Sequence, residues 1–378
     1  MRILQFFSIG ILLSLLSFNA KAQEESKHNF SLTGYVDAYY QYNLNKPLSR
    51  SNTGRIFDLN HDNISLGLAQ TMFTYSNDKS EAVLDLTFGP NAELGNFGNI
   101  GTALAIKQAY LAYNISDAVK FTIGQYGTHI GYELIDAPDN FNYSLSYLFG
   151  NGPFYHTGAK IDIAATDKLG FMAGIVNGWD ALADYNDKKS ITLQASLTPS
   201  DNLGIYLNWI GGDEYGGGSA FGDIEGSFTS LFDLTTSYTI ELDTTGKSLL
   251  LGLNAALGSF SSGSEADGVV SANPYDSDAT WAGAALYINY HFSENSAIGL
   301  RAEYFDDPNG VRYFGPLSVF GMTLTGDFKV ADGALSFKPE IRFDKSSDSF
   351  FEGKDGGLED SQMTVGVGFV YNFGHNFK

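Results

Sequence analysis

The sequence of 378 residues contains no cysteine. That excludes disulfides, a lipid-anchored N-terminal cysteine and the stapling that small scaffolds rely on. Basic residues are scarce, with 22 Lys and Arg against 43 Asp and Glu and a net charge of −21, a balance that repels nucleic acid. After the first two dozen residues no apolar run approaches the ~20 residues of a membrane-spanning helix, so any crossing of a bilayer has to be made by strands. A sustained period of 3.6 is missing as well. Histidine occurs only six times, as His28, His61, His129, His156, His291 and His375, and no GxSxG or HExxH spacing surrounds any of them. No catalytic, cofactor-binding or metal-binding residue is therefore assigned. The acids around Asp276 and Asp278, or Asp355 and Asp360, lack the spacing of a calcium loop. His61, His129 and His156 meet at one rim only if the parity slips for His129, whose register points it toward lipid.

What is plentiful is glycine, 43 residues, together with 29 Phe and 22 Tyr. The chain begins Met1-Arg2, runs on through ILQFFSIGILLSLLSF and reaches Ala20-Lys21-Ala22, the order of a cleavable secretory signal. The reading is a signal peptide over 1–22 and one mature domain over 23–378. The acids collect in connecting segments such as DALADYND, SGSEADG and GKDGGLED.

From there the dominant pattern is alternation with a period of two. Sixteen such runs begin near Phe30, Ile64, Glu81, Ala103, Val119, Tyr155, Leu169, Ile191, Leu203, Phe228, Ser248, Trp281, Ala297, Ser318, Ala334 and Met363. Their connections alternate in length: NKPLSRSNTGRIFDLNHD is followed by SNDKS, GPNAELGNFGNIG by ISDA, and so on to VADG. Soluble sandwiches have no reason to sort links by parity. A transmembrane antiparallel up-and-down β-barrel does, because its periplasmic turns are short and its extracellular loops long.

The two faces of each run support the same all-β fold class. In QMTVGVGFVYNF, Met363, Val365, Val367, Phe369, Tyr371 and Phe373 share one face, and Thr364, Gly366, Gly368, Val370 and Asn372 the other. In the run from Leu335, Phe337, Ile341 and Phe343 oppose Ser336, Lys338, Glu340, Arg342 and Asp344. Burying that charged face in a dry core is costly, whereas lipid outside and water inside suits both faces. Pro339 lacks an N–H and is expected to mark a bulge or strand end. Gln108 and Gln125 break the apolar face of their runs, so a register shift is expected there. Aromatic residues near run ends, Tyr39, Tyr40, Tyr126, Tyr287 and Tyr371 among them, are read as headgroup-zone anchors. Phe373 or Phe377 ends the last strand as the mark read by the barrel assembly machinery.

At GYVDAYYQYN, FDLNHDNISLGLAQ, IKQAYLAY and GQYGTHIGYELIDAPDNFNYSLSYLFGNGPFYHTG followed by VNGWD, the chain resembles the OmpL-like family of β-barrel porins. The resemblance implies an outer-membrane pore in a Gram-negative cell, in contact with outer-membrane lipid and passing small hydrophilic solutes; assembly into a homo-oligomer stays open. It carries over no catalytic residues. The longest link, about 131–153, holds Glu133, Asp136 and Asp139 and is read either as an inward constriction or as an outward loop packed on its own aromatics. Parity alone nominates Lys160, Arg301, Glu303, Lys338, Glu340 and Arg342 as pore-lining. The basic members either face the acids of the inward loop across the pore or are neutralised by their neighbours along the wall. A non-conducting barrel that binds or adheres through its acidic loops is the competing function.

Overall fold

The computed structural model describes residues 28–184, 186–214, 227–244, 246–261, 278–313 and 315–377; the expected signal peptide and Asp276 lie outside them. Sixteen strands close into one antiparallel barrel. The first eight are β1 (Asn29–Asn43), β2 (Asn63–Ser76), β3 (Ser80–Phe88), β4 (Ile106–Ser116), β5 (Val119–Gly127), β6 (Tyr155–Thr166), β7 (Leu169–Val176) and β8 (Ser190–Ser200). Next come β9 (Leu203–Gly212), β10 (Phe228–Glu241), β11 (Ser248–Ser261), β12 (Ala279–Ser293), β13 (Ser296–Asp307), β14 (Leu317–Val330) and β15 (Leu335–Ser346). A ribbon of β16 (Phe351–Glu352) and β17 (Leu358–Glu359) decorates the last loop, and β18 (Ser361–Phe377) closes the wall against β1, in register from Phe30 opposite Phe377 to Asn43 opposite Thr364. Closure leaves no sheet edge, so every spanning strand has a hydrogen-bonding neighbour on both sides.

Side-chain alternation sets which face is which. Along β15 the buried residues are Ser336, Lys338, Glu340, Arg342, Asp344 and Ser346, while Pro339, Ile341 and Phe343 are exposed. Along β18 Val365, Phe369, Tyr371 and Phe373 are exposed, and Gln362, Thr364, Gly368 and Val370 buried. An apolar face left uncovered by the protein around the whole barrel is the face a bilayer covers.

Strand starts follow the sequence pattern within two residues except at β4, where Gly101–Ala105 form a 3₁₀ turn and the strand opens at Ile106 rather than near Ala103. Pro339 neither ends nor bulges its strand: β14 and β15 keep one register on both sides of it, and only the pairs facing Gly326 and Asp327 drop out of the ladder. Gly326, opposite Pro339, has no Cβ; one there would stand 2.7 Å from the Phe328 ring and in ordinary contact, 3.4 Å, with the pyrrolidine ring. At Gln108 the expected irregularity exists, as the β3–β4 register shifts between Asp85 and Leu86. At Gln125 the expected shift is absent: it keeps register with both Ala109 and Thr157, and its side chain instead donates to the carbonyls of Ile106 and Lys107 at 2.8 and 3.1 Å, satisfying backbone groups beside the β4 bulge. Some of the aromatics read as lipid anchors turn inward instead: Tyr39, Tyr126 and Tyr287 are buried, and Tyr287 stacks on Tyr132 at 4.4 Å.

Candidate functional site

The site is built from the inward faces of β13, β15 and β18 and from the long segment Thr128–Phe154 between β5 and β6. A loop inside a barrel has no ladder to join, so its backbone groups need other partners. The charged side chains of the wall supply them. Lys338 Nζ donates to the carbonyls of Ala137, at 3.0 Å, and of Asn140. Arg301 Nη1 donates to Ser144 O at 2.5 Å and Arg342 Nη1 to Leu145 O at 2.6 Å. In the opposite sense, Glu340 accepts from the backbone N–H of Tyr143 and Ser144, and Glu303 from that of Tyr147 at 2.6 Å. Glu133, itself in the loop, accepts from Ser146 N at 2.7 Å. The loop thus lies in the lumen, laced along its backbone to the face of β13 and β15 that parity pointed inward.

Ion pairs complete the lacing. Arg301 bridges Glu133 at 2.7 Å and Glu303 at 3.0 Å, and Arg342 bridges Asp344 at 2.8 Å and Glu303 at 3.4 Å. Arg55, from the loop between β1 and β2, reaches in to bridge Asp58 at 2.6 Å and Asp344 at 2.9 Å. Across the lumen Lys107 of β4 holds Asp136 of the loop at 2.5 Å and Asp85 of β3 at 3.1 Å. Of the residues nominated from sequence, Arg301, Glu303, Lys338, Glu340, Arg342 and Glu133 are brought together and are buried beneath the loop. Asp139 lies on the loop's exposed side, Asp136 is half-buried, and Lys160 sits apart on β6, 3.2 Å from Asp162 and over the Tyr126 ring. The wall's basic residues therefore do not stand opposite the loop acids across open water. They touch the loop itself.

Packing follows the same plan. A Cβ on Gly368 of β18 would come within 2.2 Å of the Tyr143 ring, and one on Gly299 of β13 within 2.3 Å of the Phe141 ring. Small inward residues are where the loop's aromatics lie flat against the wall. Tyr143 is fixed from its other end by donating its hydroxyl to Asp37 of β1 at 2.5 Å. At the neck of the loop His129 and His156 pair, ring centroids 5.4 Å apart, with His129 against Trp209 O at 3.1 Å. The sequence register turned His129 toward lipid, but β5 ends at Gly127, and past the strand parity no longer binds. Burial lowers His129 to about 4, which keeps the ring neutral. His61 packs elsewhere, on Tyr42. Among the described residues no group of three or more His, Asp or Glu is arranged to hold a metal ion.

The family described as "Putative beta-barrel porin-2, OmpL-like" matches residues 29–373, from the first strand to nearly the end of the last. The chain belongs to this family. Solved barrels share the architecture at low identity. The anion-selective porin from Comamonas acidovorans superposes with a TM-score of 0.58 at 12% identity, covering 92% of this chain and 100% of that one. OmpT of Vibrio cholerae gives 0.54 at 13%, with 93% and 100% covered, and the outer-membrane channel DcaP of Acinetobacter baumannii gives 0.54 at 13%, with 94% and 99%. At such identities the likeness is one of fold. No curated protein matches the sequence.

In this OmpL-like barrel the upper lumen also holds a feature that strand alternation did not disclose. Leu231, Phe260, Trp281, Tyr287, Phe305 and Val319 all point inward and are buried at 0–3% exposure, packed with Ile130, Tyr147 and Leu148 of the loop. The available signal was the apolar character of both faces at those strand ends, as in Leu231-Phe232. Between the two legs of the loop and this wall runs a cavity of about 230 Å³.

Proposed function

We propose that this outer-membrane barrel is a diffusion channel for small hydrophilic solutes, exported by its signal peptide, with the Thr128–Phe154 loop as its constriction. Sixteen strands enclose more interior than their own side chains fill, so a passage exists unless something occupies it. The observation that carries the reading is the loop laced inside the barrel by Arg301, Lys338, Glu340 and Arg342. Such a loop narrows the lumen. Those four residues act as fasteners of the constriction; Asp139 stands on the loop's exposed side, while Asp136 is tied to Lys107 of the wall across the lumen. Asp37 and Asp233 face inward without an ion-pair partner among the described residues, which favours cations over anions.

The test is single-channel recording from purified protein in planar bilayers. Stable conductance steps are expected, growing when residues 133–147 are replaced by a short glycine-serine link. Silence despite verified insertion would leave a non-conducting binding barrel as the better account.

A further inference from the structure

The cavity between the loop legs and β10–β13 is not a neutral gap. Its wall is mostly hydrocarbon and aromatic: Ile130 and Leu148 from the loop, Leu231, Trp281 and Phe305 from the strands. Four charged side chains also reach it, and three of these are already engaged. Lys107 is held by Asp85 and Asp136, Asp136 by Lys107, and Glu133 by Arg301. The fourth, Asp233, is 4% exposed and makes no ion pair among the described residues. Its oxygens accept from Asn208 Nδ2 at 2.7 Å, Asn254 Nδ2 at 2.5 Å and Gly131 N at 3.0 Å. Three neutral donors fix the carboxylate in place, yet a carboxylate offers about four acceptor sites, and its charge remains unbalanced. A buried anion without a counter-ion is costly, and a cation arriving beside it relieves that cost.

We propose that this cavity is a binding subsite for amphipathic solutes that carry one positive group: a ring or short hydrocarbon lies against Leu231, Trp281 and Phe305, and an ammonium sits beside Asp233. An apolar cavity of roughly 150 Å³ accommodates a benzene ring, so about 230 Å³ admits a ring with a short amino arm. The apolar wall offers water few partners, so displacing that water favours the solute's hydrocarbon part. The assignment deepens the channel reading and rests on it: the cavity is lined by the constriction loop itself, so a solute held there is favoured over other small solutes in passing the constriction.

Three probes of one shape separate the contributions: 2-phenylethylamine, 2-phenylethanol and phenylacetate. Binding to the detergent-solubilised barrel is read from Trp281 fluorescence in a chain carrying Trp179→Phe and Trp209→Phe, and block of the potassium chloride current is read in bilayers. The amine is expected to bind about tenfold more tightly than the alcohol, with phenylacetate weaker than both. Asp233→Asn is expected to reduce the amine's advantage to about twofold or less while the alcohol binds as before. Phe305→Ala weakens amine and alcohol alike. Equal affinity of amine and alcohol for the unaltered chain overturns the subsite whatever the variants do, as does an advantage that survives Asp233→Asn in a correctly folded barrel. Conductance with no amine preference removes the subsite and keeps the channel; amine preference without conductance keeps the subsite and removes the channel.

Discussion

At the residue scale the decisive groups are charged side chains that never meet bulk water. Arg301 has no exposed surface and satisfies Glu133, Glu303 and the carbonyl of Ser144 at once. Taking away one member of a buried ion network leaves the others uncompensated, which costs roughly 3–5 kcal/mol. Arg301→Met should therefore lower the thermal unfolding midpoint of the detergent-solubilised barrel and make its open-channel current noisier. Lys120→Ala is the control, because the Lys120–Glu81 pair is partly exposed and 3.5 Å long and should change little. Equal effects from the two would remove the lacing role. Asp180, in the loop after β7, gives a pH dependence. Burial raises its carboxyl to about 7, although the N–H groups of Phe154 and Tyr155 donate to it at 2.6 and 3.0 Å. With the folded value above the ordinary one, the stabilisation is complete at low pH, near the ordinary carboxyl range, and is lost as pH rises through about 7. Limited proteolysis of the loops should thus be faster at pH 8 than at pH 5, with the difference abolished in Asp180→Asn.

At the scale of elements, the loop and the wall are matched in shape as well as charge. Gly368 admits the Tyr143 ring, and no other side chain fits the 2.2 Å approach. Gly368→Val should push Tyr143 off β18, break its bond to Asp37 and raise the single-channel conductance, while the heat-resistant folded band in gel electrophoresis persists. An unchanged conductance would mean that the loop does not limit flow. The double substitution Lys338→Glu with Arg342→Glu sets two more carboxylates beside Glu303, Glu340 and Asp344. It should raise the cation-to-anion permeability ratio and loosen the loop together, and unchanged reversal potentials in a salt gradient would place both residues away from the conducting path.

For the whole molecule the long-range property is charge. With a net charge of −21 and acids gathered in the connections, the channel should prefer cations at low salt, and the preference should weaken toward 1 M, where the screening length falls to about 3 Å. Reversal potentials across a salt series measure this directly. How much could be read in advance differs between wall and lumen. Strand number, link parity and the lipid-facing residues Val365, Ile341 and Phe343 were legible because alternation is a local rule that each strand obeys by itself. The inward parity of Arg301, Lys338, Glu340 and Arg342 was legible for the same reason.

What those inward residues touch was not legible, and neither was the turn of His129 toward His156 or the position of Asp233, which has no ion-pair partner among the described residues. Glu133 and Arg301 are separated by 168 positions, and Tyr143 and Glu340 by 197. No periodicity relates residues so far apart. The sequence alone determined a closed wall with oil outside and polarity within, because the pleat repeats every two residues. Only the folded chain decided that the loop lies along β13 and β15, since that outcome depends on which backbone groups, rings and charges complement one another across the lumen.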